Sequence, residues 1–183
     1  MKPSSAGTTA EFSNWTEPVS FKTPCGAHTL PWSENFENYS SGTFVANCWA
    51  NEHIAGSASS LFNVSTTSAG TNNSNMLQLP DQQTGNRTLL TLPVMRIPEA
   101  NNYEFTLDVY RSSYSSIKPN EGIRIYVSTD AVFDSLTATM LAFIPREYTM
   151  SGVNAPAVSS SGWYSYAFIL PLAGDVHIFI MGV

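Results

Sequence analysis

Charge is what this sequence has least of. Asp, Glu, Lys and Arg make up 12% of its 183 residues, about half the usual share of roughly 25%. Ser, Thr and Asn fill the gap, so the surface is neutral and polar, a habit of secreted β-proteins rather than of cytosolic helical enzymes. Only eight residues are Lys or Arg, they are scattered, and the net charge is −6. Nucleic-acid binding needs a clustered basic footprint, so no nucleic-acid partner is expected. Anionic membrane surfaces are disfavoured for the same reason. No apolar run approaches the roughly 20 residues of a membrane span, which argues against membrane insertion. Residues 1–7 lack the apolar core of a signal peptide. A secreted or cell-surface protein would then carry its signal peptide upstream of this chain; a cytosolic protein is the alternative.

Catalytic motifs are equally scarce. There is no G-x-S-x-G, no phosphate loop and no dinucleotide-binding glycine pattern. The three histidines, His28, His53 and His177, show no ligand spacing with the cysteines, which speaks against zinc. Cysteine itself occurs only at Cys25 and Cys48. In a secreted chain these two would pair, closing a loop worth on the order of 3 kcal/mol; two buried free thiols are the other reading.

What the sequence does have is period-2 alternation. In "NYEFTLDVYR", Tyr103, Phe105, Leu107 and Val109 share one face against Glu104, Thr106 and Asp108. "GIRIYVST" sets Ile123, Ile125 and Val127 against Arg124, Tyr126 and Ser128. "GWYSYAFILP" and "DVHIFIMGV" alternate likewise, the latter through Val176, Ile178 and Ile180 with His177 on the opposite face. Weaker strands are expected at 60–66, 75–80, 87–95 and 139–146, with turn-forming clusters such as "TSAGTNNSN" and "SSSG" between them. "STDAVFDSLTATM" could hold one helical turn capped by Ser128 or Thr129. Around nine short strands with partly apolar faces predict an all-β fold, a two-sheet antiparallel sandwich of jelly-roll type.

Two stretches carry a resemblance. "SNWTEPVSFKT" (13–23) resembles the closing strand of a fibronectin type III domain, through Trp15, Pro18, Val19 and Phe21. Residues 1–23 cannot form a sandwich alone, so they read as the C-terminal strand of a severed fibronectin type III-like module, with 24–29 as linker. "LPWSENFENYSSGTFVANCW" then resembles the start of the MAM-like jelly-roll modules of bacterial surface proteins, the concanavalin-like group that includes the cleaved-adhesin and "choice-of-anchor" domains of Bacteroidetes. The matching residues are Leu30, Pro31, Trp32, Glu34, Phe36, Glu37, Cys48 and Trp49. "GIRIYVST", "SGWYSYAFILP" and "GDVHIFIMGV" resemble later strands of the family in order. Residues 30–183 are thus expected to form the jelly-roll domain. Members of the family usually continue into one more strand with an Asp-Asp/Asn-Ile/Val motif, so the expectation is a domain lacking its final strand, with an unpaired sheet edge.

The resemblance implies a non-catalytic adhesion or ligand-binding module of a larger bacterial secreted or surface protein. Its partners would be a glycan or a host or matrix protein, together with neighbouring domains of a longer chain. A carbohydrate-binding module attached to a hydrolase and a passive spacer are the alternatives. The resemblance also implies a structural calcium helped by Glu37 and Glu34, although calcium takes six to eight oxygens. The other reading is that Glu37 accepts a hydrogen bond from nearby backbone. Exposed tyrosines would supply a sugar-stacking platform, with Tyr110, Tyr114, Tyr126, Tyr148 and Tyr164 as candidates and core packing as the competing account. Glu104 and Asp108 are not a glycosidase pair: four strand residues separate them by roughly 13 Å, beyond the roughly 5–9.5 Å such chemistry uses. The sequons at Asn14, Asn38, Asn63, Asn72 and Asn86 are chance occurrences in a chain rich in Asn, Ser and Thr.

Overall fold

A computed structural model describes residues 25–56, 60–67, 69–79, 85–113 and 120–183. The fibronectin-like strand expected at 13–23 lies outside the described residues, as does Tyr114.

The described residues contain eleven β-strands and a single 3-10 turn at Thr71–Asn73. The strands are β1 (Gly42–Thr43), β2 (Ala50–Ala55), β3 (Asn63–Ser65), β4 (Met76–Gln78), β5 (Arg87–Thr91), β6 (Met95–Ile97), β7 (Glu104–Arg111), β8 (Gly122–Ser128), β9 (Thr139–Pro145), β10 (Gly162–Ile169) and β11 (Gly174–Gly182). The back layer is a six-stranded sheet in the order β2-β5-β11-β8-β9, with β6 also on β11. In front lie two smaller antiparallel units, β1-β3-β4 and β7-β10. The molecule is an all-β antiparallel sandwich.

Alternation decides which face of each strand is buried. On β11, Val176, Ile178 and Ile180 point between the layers, where they meet Ile125 and Val127 of β8 and Leu90 of β5. From the front layer Phe105, Leu107 and Val109 of β7 and Phe168 of β10 close on the same core. The outer face of the back sheet is not wholly polar. Leu89, Tyr126, Phe179 and Met181 form a second cluster there, covered by Phe133 and Ala138 of the 129–138 loop. That loop is a turn rather than a helix. Ser128 Oγ accepts the Asp130 N–H at 3.0 Å, and the backbone N–H of Ala138 reaches the Asp134 carbonyl at 2.9 Å.

The stretch 87–95, expected as one strand, divides into β5 and β6. Pro93 between them has no N–H to donate. Thr91 pairs with Phe179 and Met95 with Val176, so the three residues 92–94 on one strand lie opposite two, 177 and 178, on the other, the mark of a bulge. Ala50–Ala55, whose sequence "ANEHIA" hardly alternates, forms an edge strand against β5. Asn51 ties this edge to the front layer. Its amide donates to the Phe44 and Phe62 carbonyls (3.1 and 2.8 Å) and its oxygen accepts the Phe62 N–H (3.1 Å).

Residues of the expected 24–29 linker are attached to the domain. Cys25 and Cys48 are joined in a disulfide, with Cα atoms 5.6 Å apart. His28 bridges β6 in parallel, its N–H bonded to the Val94 carbonyl and its carbonyl to the Arg96 N–H, both at 2.8 Å. Among the described residues no helix is long and apolar enough to cross a membrane.

Candidate functional site

The β7–β10 ladder sets the geometry of the most promising exposed surface. Its register places Tyr110 opposite Trp163, Asp108 opposite Ser165, Thr106 opposite Ala167 and Glu104 opposite Ile169. All eight side chains therefore share the outer face of the front layer. Tyr110 is 50% exposed, and its ring meets the Trp163 indole edge-on, centroids 5.6 Å apart. The indole N–H donates to the Ala69 carbonyl at 3.1 Å, which fixes the ring against the loop ahead of β4. Next along the face, Asp108 accepts from the Ser165 hydroxyl at 2.5 Å and from the Thr71 hydroxyl at 3.2 Å. The result is an aromatic pair bordered by a carboxylate and two hydroxyls, all positioned by neighbouring strands and one loop.

Such a surface can offer ring faces to the C–H side of a pyranose and polar oxygens to its hydroxyls. Glu104 and Asp108 share this face as solvated residues.

The described tyrosines expected to form a platform do not come together. Among them only Tyr110 reaches this surface. Tyr126 is buried at 7% exposure in the cluster behind the back sheet, its ring 5.1 Å from Phe133. The alternation of β8 puts it on that outer face, but the 129–138 loop covers it, so it is a packing residue and no ligand contact. Tyr148 is half-buried, and its backbone pairs with Ser112 and Val158. Tyr164 takes the inward parity of β10, and its hydroxyl donates to the Ser160 carbonyl at 2.7 Å. Trp163, the partner that completes the aromatic pair, was not among the expected residues. Its outward direction follows from its shared parity with Ser165 and Ala167. Its closeness to Tyr110 depends on a register no local pattern specifies.

The acidic loop has a different job. Glu34 Oε1 accepts the N–H of Phe36 at 2.7 Å, holding that residue in the left-handed region at φ 61°, and Oε2 accepts the Tyr39 hydroxyl at 3.2 Å. Burial, then the adjacent Glu34 charge and the hydrogen bond to it, raise the Tyr39 pKa above its ordinary 10.0. Glu37 Oε1 accepts the N–H of Asn75 at 2.7 Å and ties the loop to the start of β4. Among the described residues there is no group of three or more His, Cys, Asp or Glu placed to share a metal. Both carboxylates thus accept hydrogen bonds from the chain's own donors, and a calcium shell there would need roughly four or more further oxygens.

No protein-family model matches the chain, and no curated protein matches its sequence. Among solved structures, the K1 cleaved adhesin domain of Lys-gingipain from Porphyromonas gingivalis is similar. The TM-score is 0.50 with 16% identity, over 81% of this chain and 86% of that one. The likeness is one of fold: the sandwich is cleaved-adhesin-like.

Proposed function

We propose that this chain is a non-catalytic adhesion module of a secreted or surface-attached bacterial protein, and that it takes a glycan on the outer face of β7 and β10. The observation that carries the reading is the pair of exposed Tyr110 and half-buried Trp163 beside the Asp108–Ser165–Thr71 cluster. The cleaved-adhesin-like fold supports the adhesion class. The disulfide supports an oxidising compartment. On this reading the module is MAM-like and sits beside other domains of a longer polypeptide, with residues 13–23 closing a fibronectin type III-like neighbour.

The test is a polysaccharide and glycan array that includes host-matrix proteins, probed with the folded chain and with Y110A and W163A. Saturable glycan binding that falls tenfold or more in both variants supports the assignment; tenfold corresponds to about 1.4 kcal/mol of contact. Glycan binding that survives both substitutions would move the site elsewhere. Binding to a protein alone would favour adhesion without sugar recognition, and a blank array would leave a spacer.

A further inference from the structure

The front layer is split. Among the described residues, β4 pairs only with β3 and β7 only with β10. Both nonetheless line one cavity of about 1580 Å³ that opens between the layers. Well-packed interiors hold few voids larger than a water molecule, and small-molecule pockets run to about 1,000 Å³. The lining has a telling pattern. Residues 74–79 and 104–110 contribute every successive position, inward and outward alike. In a strand alternate side chains point to opposite faces, so the space reaches both faces of β4 and β7, as it does where it passes round a free edge, and the outward Trp163, Ser165 and Ala167 of β10 line it too. Two such edges, each with N–H and C=O groups that lack a ladder partner among the described residues, border the gap. Its floor is the apolar inner face of the back sheet, at Leu90, Ile123, Ile178 and Ile180. Leu107 and Val109 remain only half-buried although they point at the core, as they would beside an unfilled position.

We infer that the gap between β4 and β7 is an acceptor slot for one extended polypeptide strand, apolar at every second residue and basic or polar at the others. Backbone edges on both sides call for an occupant with alternating donors and acceptors at the ladder spacing along both of its own edges, which a polypeptide strand has and a lipid has not. The floor selects alternate apolar side chains. Glu121 is paired with Arg146, which leaves Glu104 and Asp108 on the outer side of β7 to select Lys or Arg on the occupant's opposite face. Strand addition would bury the two edges that otherwise invite indiscriminate pairing. This inference rests on the two backbone edges and does not need the glycan assignment, although Thr71, Asp108, Tyr110, Trp163 and Ser165 of that surface also line the gap.

Amide exchange by NMR on the full chain decides the matter. The probe is a soluble peptide of about eight residues, a typical strand length, in which valine alternates with lysine and threonine. A peptide of the same composition with its valines contiguous is the control. In the chain alone, the β7 amides not bonded to β10 are expected to exchange far faster than those of β8. The alternating peptide should slow them, and those of β4, saturably and by tenfold or more, while the control should not. Absence of protection, or equal protection by the control, overturns the proposal. So does a slot already protected in the chain alone and opened by F21D, because the occupant would then be the chain's own 13–23 segment rather than an added strand.

Discussion

Arg111 ends β7 as a cation with 0% exposure, and its guanidinium is surrounded by the chain's own carbonyls. Nε donates to the Pro145 carbonyl at 3.0 Å, Nη1 to that of Pro156 at 2.6 Å, and Nη2 to those of Glu147 and Met150 at 2.8 and 2.5 Å. Nη1 also reaches the Tyr166 hydroxyl at 3.2 Å. One side chain thus organises the 145–156 segment against the β7–β10 ladder. Replacing it by methionine keeps most of the apolar stem and deletes every donor. Charge-assisted hydrogen bonds are worth about 1.5–3 kcal/mol each, but bonds sharing one group do not add. Leaving a buried acceptor unsatisfied costs about 1–3 kcal/mol, so with four carbonyls only partly rehydrated about 3–5 kcal/mol is expected for R111M. In a chain of this size it corresponds to a fall in Tm of roughly 6–20 °C. R111K keeps the charge but has three donors on one nitrogen instead of a planar fork, and should recover roughly half of the loss. Urea unfolding of the three proteins, with the slope checked for constancy, supplies the comparison. If R111M unfolds within 1 kcal/mol of the parent, the four carbonyls have found water and the reasoning fails.

Three further outcomes are expected. Reducing the Cys25–Cys48 bridge, or replacing both cysteines by serine, should lower stability by about 3 kcal/mol, since the bridge closes a loop with a sequence separation of 23. Mass spectrometry with alkylation before and after reduction establishes the bond, and unchanged urea midpoints would contradict the estimate. Calcium and a chelator should both leave the Tm in place, because Glu34 and Glu37 are held by Phe36, Tyr39 and Asn75; a calcium-dependent rise of several degrees would revive a metal site. His177 is held below its ordinary pKa of 6.5, chiefly by burial, with Asp175 and Asp130 pulling the other way. The unfolded chain therefore binds a proton that the folded chain resists, so stability should fall as pH drops through 6.5 and below. H177Q should flatten that part of the profile, and an unaltered slope would assign the effect to other groups.

The strand content was legible because alternation is a local property. "NYEFTLDVYR" and "DVHIFIMGV" declare their inward faces residue by residue, and β7 and β11 turn those faces to the core, β7 only half-burying its own. Ala50–Ala55 was not legible, since an edge strand with Asn51, Glu52 and His53 in its middle needs no apolar face. Its place comes from pairing with β5 and from the Asn51 amide. The tyrosines show the limit most clearly. Tyr110 and Tyr126 both occupy the parity opposite the core on their strands, yet one is exposed and the other buried, because only Tyr126 has a loop folded over it.

Composition and period-2 patterning by themselves determined an all-β chain, its strand faces and a neutral polar surface. Those features depend on each residue and its near neighbours. The tertiary structure alone decided that Trp163 stands across from Tyr110, that Arg111 gathers carbonyls from residues 145–156, and that β4 and β7 face each other across an open slot. These depend on pairing and register between segments far apart in the chain. Alternation leaves both open: it says which way a side chain points, not which strand it will lie beside.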